Sequence, residues 1–450
     1  MTSNLMKRIL PIIFALNIDV VESQQFWHLT YEFHGGAKTG ITTIGDTCLF
    51  VSVRDGVMKS NDWGNSFHRV LTAQATHTIM ADKSGYLYAG GTGYIYISDD
   101  IGLTWDSVKI ETEVPVLQMI EDKDGDIFAI TSDLYESNIY AGDGVFYSGN
   151  KGKNWESRNN GLNHFLVCDR MATDQYGRLY LAVADETITG NGGLFISENK
   201  GVLWKHIPVL IDGKGTVQNK PKIQYTHGLT VTNNDTIYLS FEGSAGGFVS
   251  FNLKISIDSL LLNKNWELEH INIINTWYMD TPLQNRFFSS DGSVFSSTTG
   301  TIGVGKTYVN LGWEGFWRKV DYGLGVGKTG REAQFFVESP DEKIYMVQRN
   351  DERVYWTHRN NMVLPVPENK YDLGFRLKSN VITAGGSLQT VGGDIRESYM
   401  VSVYSMPGRM VSGFKNYMIG EAIDAPSEKG LYFLVIRSSH QKQIIKFLVI

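Results

Sequence analysis

An eight-residue pattern occurs four times in the first half of the chain, and this repeat restricts the fold more than any other feature of the sequence. Each copy has Ser, then Asp or Asn two positions later, Gly after two more, and an aromatic residue three positions beyond the Gly. The copies span residues 60–67, 98–105, 148–155 and 197–204. A repeat with a period of about 40 to 58 residues predicts small structural units that pack on their neighbours.

The pattern has the composition of a tight turn between two strands. An Asp or Asn side-chain oxygen accepts hydrogen bonds from nearby backbone N–H groups, and Gly adopts the positive φ that such turns need. The aromatic ring then anchors the strand that follows. We therefore expect the residues that define the pattern to be structural: Ser60, Asp62, Gly64, Phe67, Ser98, Asp100, Gly102, Trp105, Ser148, Asn150, Gly152, Trp155, Ser197, Asn199, Gly201 and Trp204.

A second pattern predicts a hairpin at the start of each unit. An apolar strand runs into a short turn of Asp, Asn, Ser or Gly and then into a strand that carries an aromatic residue. The turns lie at 45–46, 82–85, 122–125, 174–177, 233–235, 291–292 and 339–342. Seven hairpins predict seven four-stranded units and an all-β fold, in which Trp266 and Trp317 keep the anchoring aromatic where the first pattern has decayed.

The eight-residue pattern resembles the Asp box, or BNR repeat, of the sialidase and xyloglucanase superfamily. This resemblance implies a seven-bladed β-propeller with Asp-box turns, which we place at residues 24–365. The isolated apolar segment 26–29 precedes the first unit. We expect it to supply the outermost strand of the seventh unit, because that pairing would join the chain ends and remove an open sheet edge.

Both ends of the chain predict export. Residues 1–23 have the features of a signal peptide: Lys7 and Arg8 precede a short apolar stretch at 9–16, and a cleavage site follows at 21–23. The apolar stretch is too short to span a bilayer, and no later stretch reaches that length. After Pro365 the repeat stops, although apolar strands continue to the C-terminus.

The segments 403–409, 429–435 and 446–450 resemble the C-terminal sorting domain of type IX secretion cargo. The resemblance implies that residues 366–450 form a small β-sandwich that directs the protein through the periplasm and outer membrane, with the type IX secretion machinery as partner. The Pro-Asn-Pro often found near the start of that domain is absent, and residues 378–381 stand in its place. We expect a secreted or cell-surface protein that is a monomer.

Propeller geometry places the connections at two ends of each blade. The turns between first and second strands and between third and fourth strands form the turn end, whereas the remaining connections form the variable-loop end. Long connections at the variable-loop end are 132–144, 185–193, 211–224, 242–247, 272–285 and 322–331. Variable loops on a rigid scaffold are a common place for recognition. The ligand-binding candidates there are Tyr135, Tyr140, Tyr225, His227, Trp277, Tyr278, Arg286 and Arg331, with Asp133, Glu136, Asp185, Glu186, Asp280 and Lys328 beside them.

Two functions of different classes suit these loops. Aromatic rings flanked by carboxylates favour a non-catalytic protein that binds a glycan or a protein ligand. The alternative is a glycoside hydrolase, for which Asp133 or Asp143 paired with Asp185 or Glu186 is the candidate catalytic set. Sialidases carry an Arg-Ile-Pro that is absent here, and Arg170, Arg286 and Arg331 lack the surrounding motifs; xyloglucanases of this type use two propellers. Binding without catalysis is therefore the preferred hypothesis.

Charge and motif spacing argue against several other partners. A net charge of −7 and an isoelectric point near 5.8 give no basic surface for nucleic acid. The histidines have no zinc spacing, so no metal and no cofactor are expected. Residues 300–307 fit the G-x-x-x-x-G-K-[ST] pattern, but they lie in a predicted hairpin without the helix that phosphate binding requires.

Overall fold

The computed structural model describes residues 26–33, 38–45, 48–73, 75–133, 141–162, 166–184, 192–209, 222–244, 248–268, 283, 285–290, 292–298, 307–310, 317–320, 324, 333–348, 353–358, 375–392, 399–405, 410–418, 421–437 and 442–450. Within these residues lie seven four-stranded sheets, one short helix and two further sheets near the C-terminus. The four-stranded sheets are antiparallel throughout.

The strands of the first four sheets pair in chain order. Strand β1 (His28–Glu32) precedes them and belongs to sheet seven. Sheet one has β2 (Lys38–Ile44), β3 (Cys48–Val53), β4 (Gly56–Ser60) and β5 (His68–Thr72). Sheet two has β6 (Thr78–Ala81), β7 (Leu87–Gly90), β8 (Tyr94–Ser98) and β9 (Asp106–Lys109). Sheet three has β10 (Val116–Glu121), β11 (Ile127–Thr131), β12 (Gly144–Ser148) and β13 (Glu156–Ser157). Sheet four has β14 (Cys168–Thr173), β15 (Leu179–Val183), β16 (Gly193–Ser197) and β17 (Lys205–Ile207).

The remaining three sheets follow the same order, with one exchange at the chain ends. Sheet five has β18 (Lys222–Val231), β19 (Thr236–Ser244), β20 (Phe248–Ser256) and β21 (Glu267–Leu268), and helix α1 (Ile257–Leu261) lies between its last two strands. Sheet six has β22 (Phe287–Phe288), β23 (Val294–Ser297), β24 (Thr307–Asn310) and β25 (Arg318–Lys319). Sheet seven has β26 (Ala333–Glu338), β27 (Lys343–Gln348) and β28 (Arg353–His358), with β1 as its fourth strand.

Each sheet is covered by its two neighbours. The second strands β11 and β15 are buried along their whole length, as expected for short apolar runs with both faces covered. Phe128 of β11 joins an apolar cluster with residues of sheet four, whereas the next residue, Ala129, joins one with residues of sheet two. Successive side chains of a strand point to opposite faces, so both faces of sheet three are buried.

The first strands of consecutive sheets contact one another. This holds from β2 to β18 and from β22 to β26, and β26 in turn contacts β2. Sheets five and six meet through side chains, such as Asn285, whose Oδ1 accepts the N–H of Leu229 at 3.0 Å. The first strands are therefore the inner strands, and sheet seven lies against sheet one. Repeated four-stranded antiparallel sheets arranged in this way are consistent with the blades of a β-propeller.

The N-terminal strand completes sheet seven. β1 pairs antiparallel with β28, with His28 opposite Trp356, in agreement with the expectation for segment 26–29. Trp27, immediately before β1, is 0% exposed, and its ring lies 6.2 Å from that of Phe295 and 6.3 Å from that of Phe336. Residues Phe26 and Trp27 are therefore anchored in the apolar cluster shared by sheets six and seven.

The C-terminal strands form two sheets around one apolar cluster. A three-stranded sheet has the order β29 (Arg376–Leu377), β31 (Ser387–Val391), β34 (Ala422–Asp424). A five-stranded sheet has the order β30 (Val381–Ile382), β36 (Lys442–Val449), β35 (Gly430–Arg437), β32 (Tyr399–Ser405), β33 (Met410–Tyr417). Leu388 and Ile423 of the first sheet cluster with Val401, Leu434 and Phe447 of the second. This cluster is separate from those of the seven sheets.

Replacing the anchoring tryptophan should destabilise the folded chain. We expect Trp27→Ala to lower the free energy of unfolding by about 3 to 5 kcal/mol, because it leaves a cavity between sheets six and seven. The matched control is Leu29→Ala in the same segment, where the side chain is 49% exposed, and we expect a change within about 0.5 kcal/mol. Denaturant titration measures both, and equal effects of the two substitutions would contradict an anchoring role for Trp27.

Candidate functional site

The four turns at the turn end share one set of hydrogen bonds. In each turn the Ser hydroxyl oxygen accepts the N–H of the Gly, at 2.7 Å for Ser60 and Gly64 and at 2.8 to 2.9 Å in the other three turns. The Asp or Asn oxygen accepts a second N–H four residues further on, as Asp62 does from Ser66 at 2.9 Å. The residue before the Gly has φ between 54° and 58° in all four turns. The sequence pattern therefore corresponds to one repeated local structure.

The two turns with Asp carry an additional bond. Asp62 Oδ2 accepts the Ser66 hydroxyl at 2.6 Å, and Asp100 Oδ2 accepts the Thr104 hydroxyl at the same distance. The side-chain bond from Ser66 is the main cause that lowers the pKa of Asp62. The bond from Thr104 does the same at Asp100, whose pKa falls to about 2. Ionised carboxylates at these two turns therefore stabilise the native state.

The same turns fasten each sheet to the one before it. Lys151, which precedes the Gly of the third turn, places Nζ 3.0 Å from Oδ2 of Asp82 in sheet two. Lys200 of the fourth turn lies 2.6 Å from Asp126 Oδ2 in sheet three. Trp63 of the first turn stacks on Tyr345 of sheet seven, with ring centroids 5.7 Å apart. The turn end is thus linked from sheet to sheet by side chains at a position that the eight-residue pattern leaves open.

Sheet five replaces the turn with helix α1. Ser256 caps this helix, and its hydroxyl oxygen accepts the N–H of Ser259 at 3.2 Å. Trp266, after the helix, is 2% exposed, and Trp317 in sheet six is 3% exposed. Both tryptophans therefore pack in the core where the sequence pattern has decayed.

The variable-loop end has a different repeated feature, a β-bulge in the inner strand. The register of the inner strand shifts by one residue opposite the end of the second strand in β2, β10, β14 and β26. The longer strand β18 has two such shifts, one after Ile223 and one after Thr226. In sheet four, Cys168 pairs with Val183 and Arg170 with Ala182, so Asp169 is the extra residue. In sheet five the extra residue at the equivalent place is His227. Bulges change the direction of side chains and are frequent beside binding sites.

The bulge of sheet four brings a carboxylate against the inner strand of sheet five. Asp169 is 1% exposed, and its Oδ2 accepts the N–H of Thr226 in sheet five at 2.6 Å. The carbonyl oxygen of Asp169 accepts a hydrogen bond from Nη1 of Arg170 at 2.7 Å. His227 follows Thr226 and is half-buried. We call Asp169, Arg170, Thr226 and His227 the inner-strand cluster.

Further side chains bridge neighbouring inner strands. The Gln118 amide of sheet three bonds to both backbone groups of Met171 in sheet four, donating to its carbonyl oxygen and accepting its N–H, each at 2.9 Å. In sheet six, the N–H of Arg286 donates to the hydroxyl oxygen of Thr230 in sheet five at 3.1 Å. The inner strands of sheets three to six are therefore held in fixed relative positions around the inner-strand cluster.

The structure describes only some of the predicted site residues. His227 lies in the inner-strand cluster. Arg286 immediately precedes β22 and is 6% exposed, and its guanidinium lies 4.5 Å from the centre of the Tyr238 ring, so its side chain packs against sheet five. Asp133 donates its N–H to the carbonyl oxygen of Ala141. Tyr225 lies in β18, but its side chain is outside the description. The candidates outside the described residues are Tyr135, Glu136, Tyr140, Asp185, Glu186, Trp277, Tyr278, Asp280, Lys328 and Arg331.

Asp143 and Asp169 both bond to a neighbouring sheet. The Asp143 carboxylate, a catalytic candidate, accepts the Thr112 hydroxyl at 2.6 Å and so links sheets two and three. Asp169 was not among the candidates, because it lies within a strand and only the bulge places it beside sheet five. Among the described residues, no group of three or more His, Cys, Asp and Glu is arranged to hold a metal ion. No described helix has the length and apolar composition to cross a membrane.

Comparison with solved structures supports the fold. The extracellular domain of the hybrid two-component system BT3049 from B. thetaiotaomicron aligns over 94% of this chain with a TM-score of 0.53 and 11% identity, and the chain covers 57% of that domain's length. YCF48 from Cyanidioschyzon merolae aligns over 74% of this chain and 99% of its own, with a TM-score of 0.51 and 11% identity. An ancestral GH74 enzyme aligns over 94% of this chain and 63% of its own, with a TM-score of 0.51 and 12% identity.

No protein-family model and no curated protein sequence matches the chain. At identities of 11 to 12% the structural likeness concerns the fold and not the activity. The repeated four-stranded sheets are therefore those of a β-propeller, a fold used by both binding proteins and enzymes.

The two carboxylate turns should make stability depend on acid pH. A carboxylate whose pKa is lower in the folded state stabilises that state above about pH 4, and this contribution is lost as the pH falls through the folded-state pKa. We expect the double variant Asp62→Asn and Asp100→Asn to lose less stability than the parent protein between about pH 4 and pH 2, because Asn does not titrate. The variant should fold, since Asn already occupies the same position in the third and fourth turns. Asp99→Asn, exposed and adjacent to Asp100, is the control. Identical pH profiles for the double variant and the parent, followed by circular dichroism, would refute this contribution.

Proposed function

We propose that this protein is a secreted or cell-surface, seven-bladed β-propeller that binds a glycan or a protein ligand at its variable-loop end without catalysis. The observation that carries the proposal is the repeated bulge in the inner strands. Five inner strands leave regular pairing at the same end, and two of the extra residues are Asp169 and His227. The opposite end repeats structural turns, which leaves the variable-loop end as the place for recognition.

The arrangement of the sheets supports seven blades in one propeller at residues 24–365. Seven four-stranded sheets follow in chain order, and β1 gives the last of them its fourth strand. The contact between β26 and β2 is consistent with ring closure. The shared hydrogen bonds of the four turns support their interpretation as Asp boxes.

The C-terminal strands support the proposed route of export. Residues 366–450 contain two sheets around one apolar cluster, as a small β-sandwich requires. Their resemblance to type IX sorting domains, together with the signal peptide proposed at residues 1–23, favours transport through the outer membrane by the type IX secretion machinery. One structural neighbour is itself an extracellular domain, which is in keeping with a location outside the cytoplasm.

The binding function is preferred to glycoside hydrolysis because the sequence lacks the Arg-Ile-Pro of sialidases and the second propeller of xyloglucanases. Hydrolysis needs two carboxyl groups about 5 to 10 Å apart across the scissile bond. The Asp143 carboxylate already accepts the Thr112 hydroxyl, which ties it to the neighbouring sheet. Asp185 and Glu186, the proposed partners, lie outside the described residues, so a hydrolase remains the alternative hypothesis.

A glycan panel tests the proposed function. The exported protein is screened against immobilised polysaccharides and soluble oligosaccharides, and both retention and reducing-sugar release are measured. We expect retention without release, and we expect Trp277→Ala to reduce retention by about tenfold, since aromatic stacking on a ligand contributes roughly 1 to 3 kcal/mol. Leu29→Ala, on the outer strand of sheet seven, is the matched control.

Two outcomes would change the conclusion. Release of reducing sugar that disappears in Asp185→Asn or Glu186→Gln would replace the binding function with the hydrolase. If neither retention nor release is observed, a glycan ligand is refuted. A protein ligand is then the remaining form of the proposal, and cross-linking at the variable-loop end would test it.

A further inference from the structure

A pair of stacked tyrosines lies on the outer part of sheet two. Tyr94 and Tyr96 are two residues apart in β8, so their side chains point to the same face of the sheet. Their ring centroids are 6.4 Å apart, and the rings are inclined by 28°. Lys109 and Ser107 of the outer strand β9 lie directly opposite them and share that face. We call these four residues the tyrosine face.

The tyrosine face is open to solvent. Tyr94 is 41% exposed, Lys109 and Ser107 are exposed, and Tyr96 is half-buried. β9 is the last strand of the sheet, so no further strand pairs beyond it. None of the four side chains makes a hydrogen bond or an ion pair to the part of the chain that the structure describes. Their polar groups are therefore available to a ligand.

Tyr94 departs from the repeat at its position. The third strands of sheets one, three and four have the same length as β8 and lead into the same turn, but each begins with Gly at positive φ. A Cβ atom on Gly56, Gly144 or Gly193 would lie 3.2, 2.1 or 2.9 Å from a polar side-chain atom of Arg69, Asn159 or His206, respectively. A side chain at the outer strand thus occupies this place in three sheets.

The scaffold therefore does not require an aromatic ring at the start of β8. Tyr94 follows Gly93, which has a φ of 73° and provides the turn in sheet two. The connection at 91–93 joins second and third strands, so Tyr94 belongs to the variable-loop end. An exposed ring that replaces a structural glycine at that end is better explained by contact with a ligand than by folding.

We infer that the tyrosine face is a stacking site for an internal segment of a polysaccharide chain, an assignment that rests on the proposed binding function. The faces of aromatic rings are electronegative. They attract the C–H groups that line both faces of a pyranose ring when its hydroxyls are equatorial. The Lys109 ammonium and the Ser107 hydroxyl would bond to the hydroxyls at the edge of the sugar ring.

The shape of the tyrosine face favours a chain over a single sugar. The two rings lie side by side along β8, so they contact successive sugar rings rather than enclose one. A pocket for a small ligand buries most of the ligand's surface, whereas the tyrosine face consists of side chains from two strands at a sheet edge. We therefore expect affinity to rise with chain length.

The surroundings favour a saccharide over a protein ligand. A stable protein interface buries about 800 Å² on each partner around an apolar centre. The cross-strand neighbours of the two tyrosines are instead the polar residues Lys109 and Ser107. The other exposed large apolar residues of sheet two, Ile101 and Leu103, lie in the turn at the opposite end. The aromatic surface is thus small and has a polar edge.

Titration calorimetry with cello-oligosaccharides and xylo-oligosaccharides of increasing length tests the tyrosine face. Both chains consist of pyranose rings with equatorial hydroxyls. We expect Tyr94→Ala to weaken binding of the longer chains about tenfold, the size of effect that stacking on one aromatic ring gives. Tyr94→Phe, which keeps the ring, should retain the affinity of the parent protein.

Tyr176→Ala is the matched control. Tyr176 is 58% exposed and lies in the first hairpin turn of sheet four, at the turn end, so its removal should leave affinity unchanged. The melting temperature of each variant is measured as well. Tyr94→Ala should melt with the parent protein because the side chain that it removes is exposed, and an affinity loss then reports on binding.

The outcomes distinguish failure of the tyrosine face from failure of the proposed function. If the oligosaccharides bind and lose affinity in Trp277→Ala but not in Tyr94→Ala, the tyrosine face is refuted and the proposed function stands. The same conclusion follows if the panel retains other glycans but neither oligosaccharide binds. Equal losses in Tyr94→Phe and Tyr94→Ala would refute stacking. If the parent protein retains no glycan, the tyrosine face and the glycan form of the proposed function are both refuted.

Discussion

Each four-stranded sheet of this chain has two apolar faces, and only the adjacent sheets cover them. β11 and β15 are buried from end to end, and residues next to each other in β11 belong to different clusters with different neighbours. A linear stack of such sheets would expose an apolar face at each end. In the structure, sheet seven lies against sheet one, and β1 supplies the strand that chain order alone would leave missing. Contact between sheets seven and one therefore covers the apolar faces that the first and last sheets would otherwise expose.

The two ends of the sheets meet different physical requirements. At the turn end, hydroxyl and carboxylate oxygens satisfy the turn, and the side chains of Lys151, Lys200 and Trp63 reach the preceding sheet. Burial alone would raise the pKa of Asp82, but the bond from Lys151 and three further hydrogen bonds lower it, so the carboxylate stays charged in the link. At the variable-loop end, bulges interrupt the pairing. Each sheet is thereby linked to its neighbour at the turn end, whereas at the variable-loop end the bulges redirect side chains of the inner strands.

Much of this scaffold could be predicted from the sequence, because its signals are local. The spacing of Ser, Asp or Asn, Gly and an aromatic residue defines a turn within eight residues, and the apolar pair Phe26 and Trp27 stands alone before the first unit. The bulges could not be predicted, since they depend on the register between two strands that no single segment specifies. Asp169 reads as an ordinary strand residue for that reason, and Arg286 reads as a loop cation although it packs on Tyr238. Helix α1 was not predicted, because the segment before Trp266 was interpreted only as a unit in which the first pattern has decayed.

In the proposed function, the variable-loop end recognises the ligand, whereas the turn end links the sheets. Hydrogen exchange of the exported protein, with and without a retained saccharide, measures this most directly. We expect the ligand to slow exchange at residues 166–171 and 223–229, where bulges lie, and to leave the amides of Gly64, Gly102, Gly152 and Gly201 unchanged. Slower exchange confined to those four turns would contradict it.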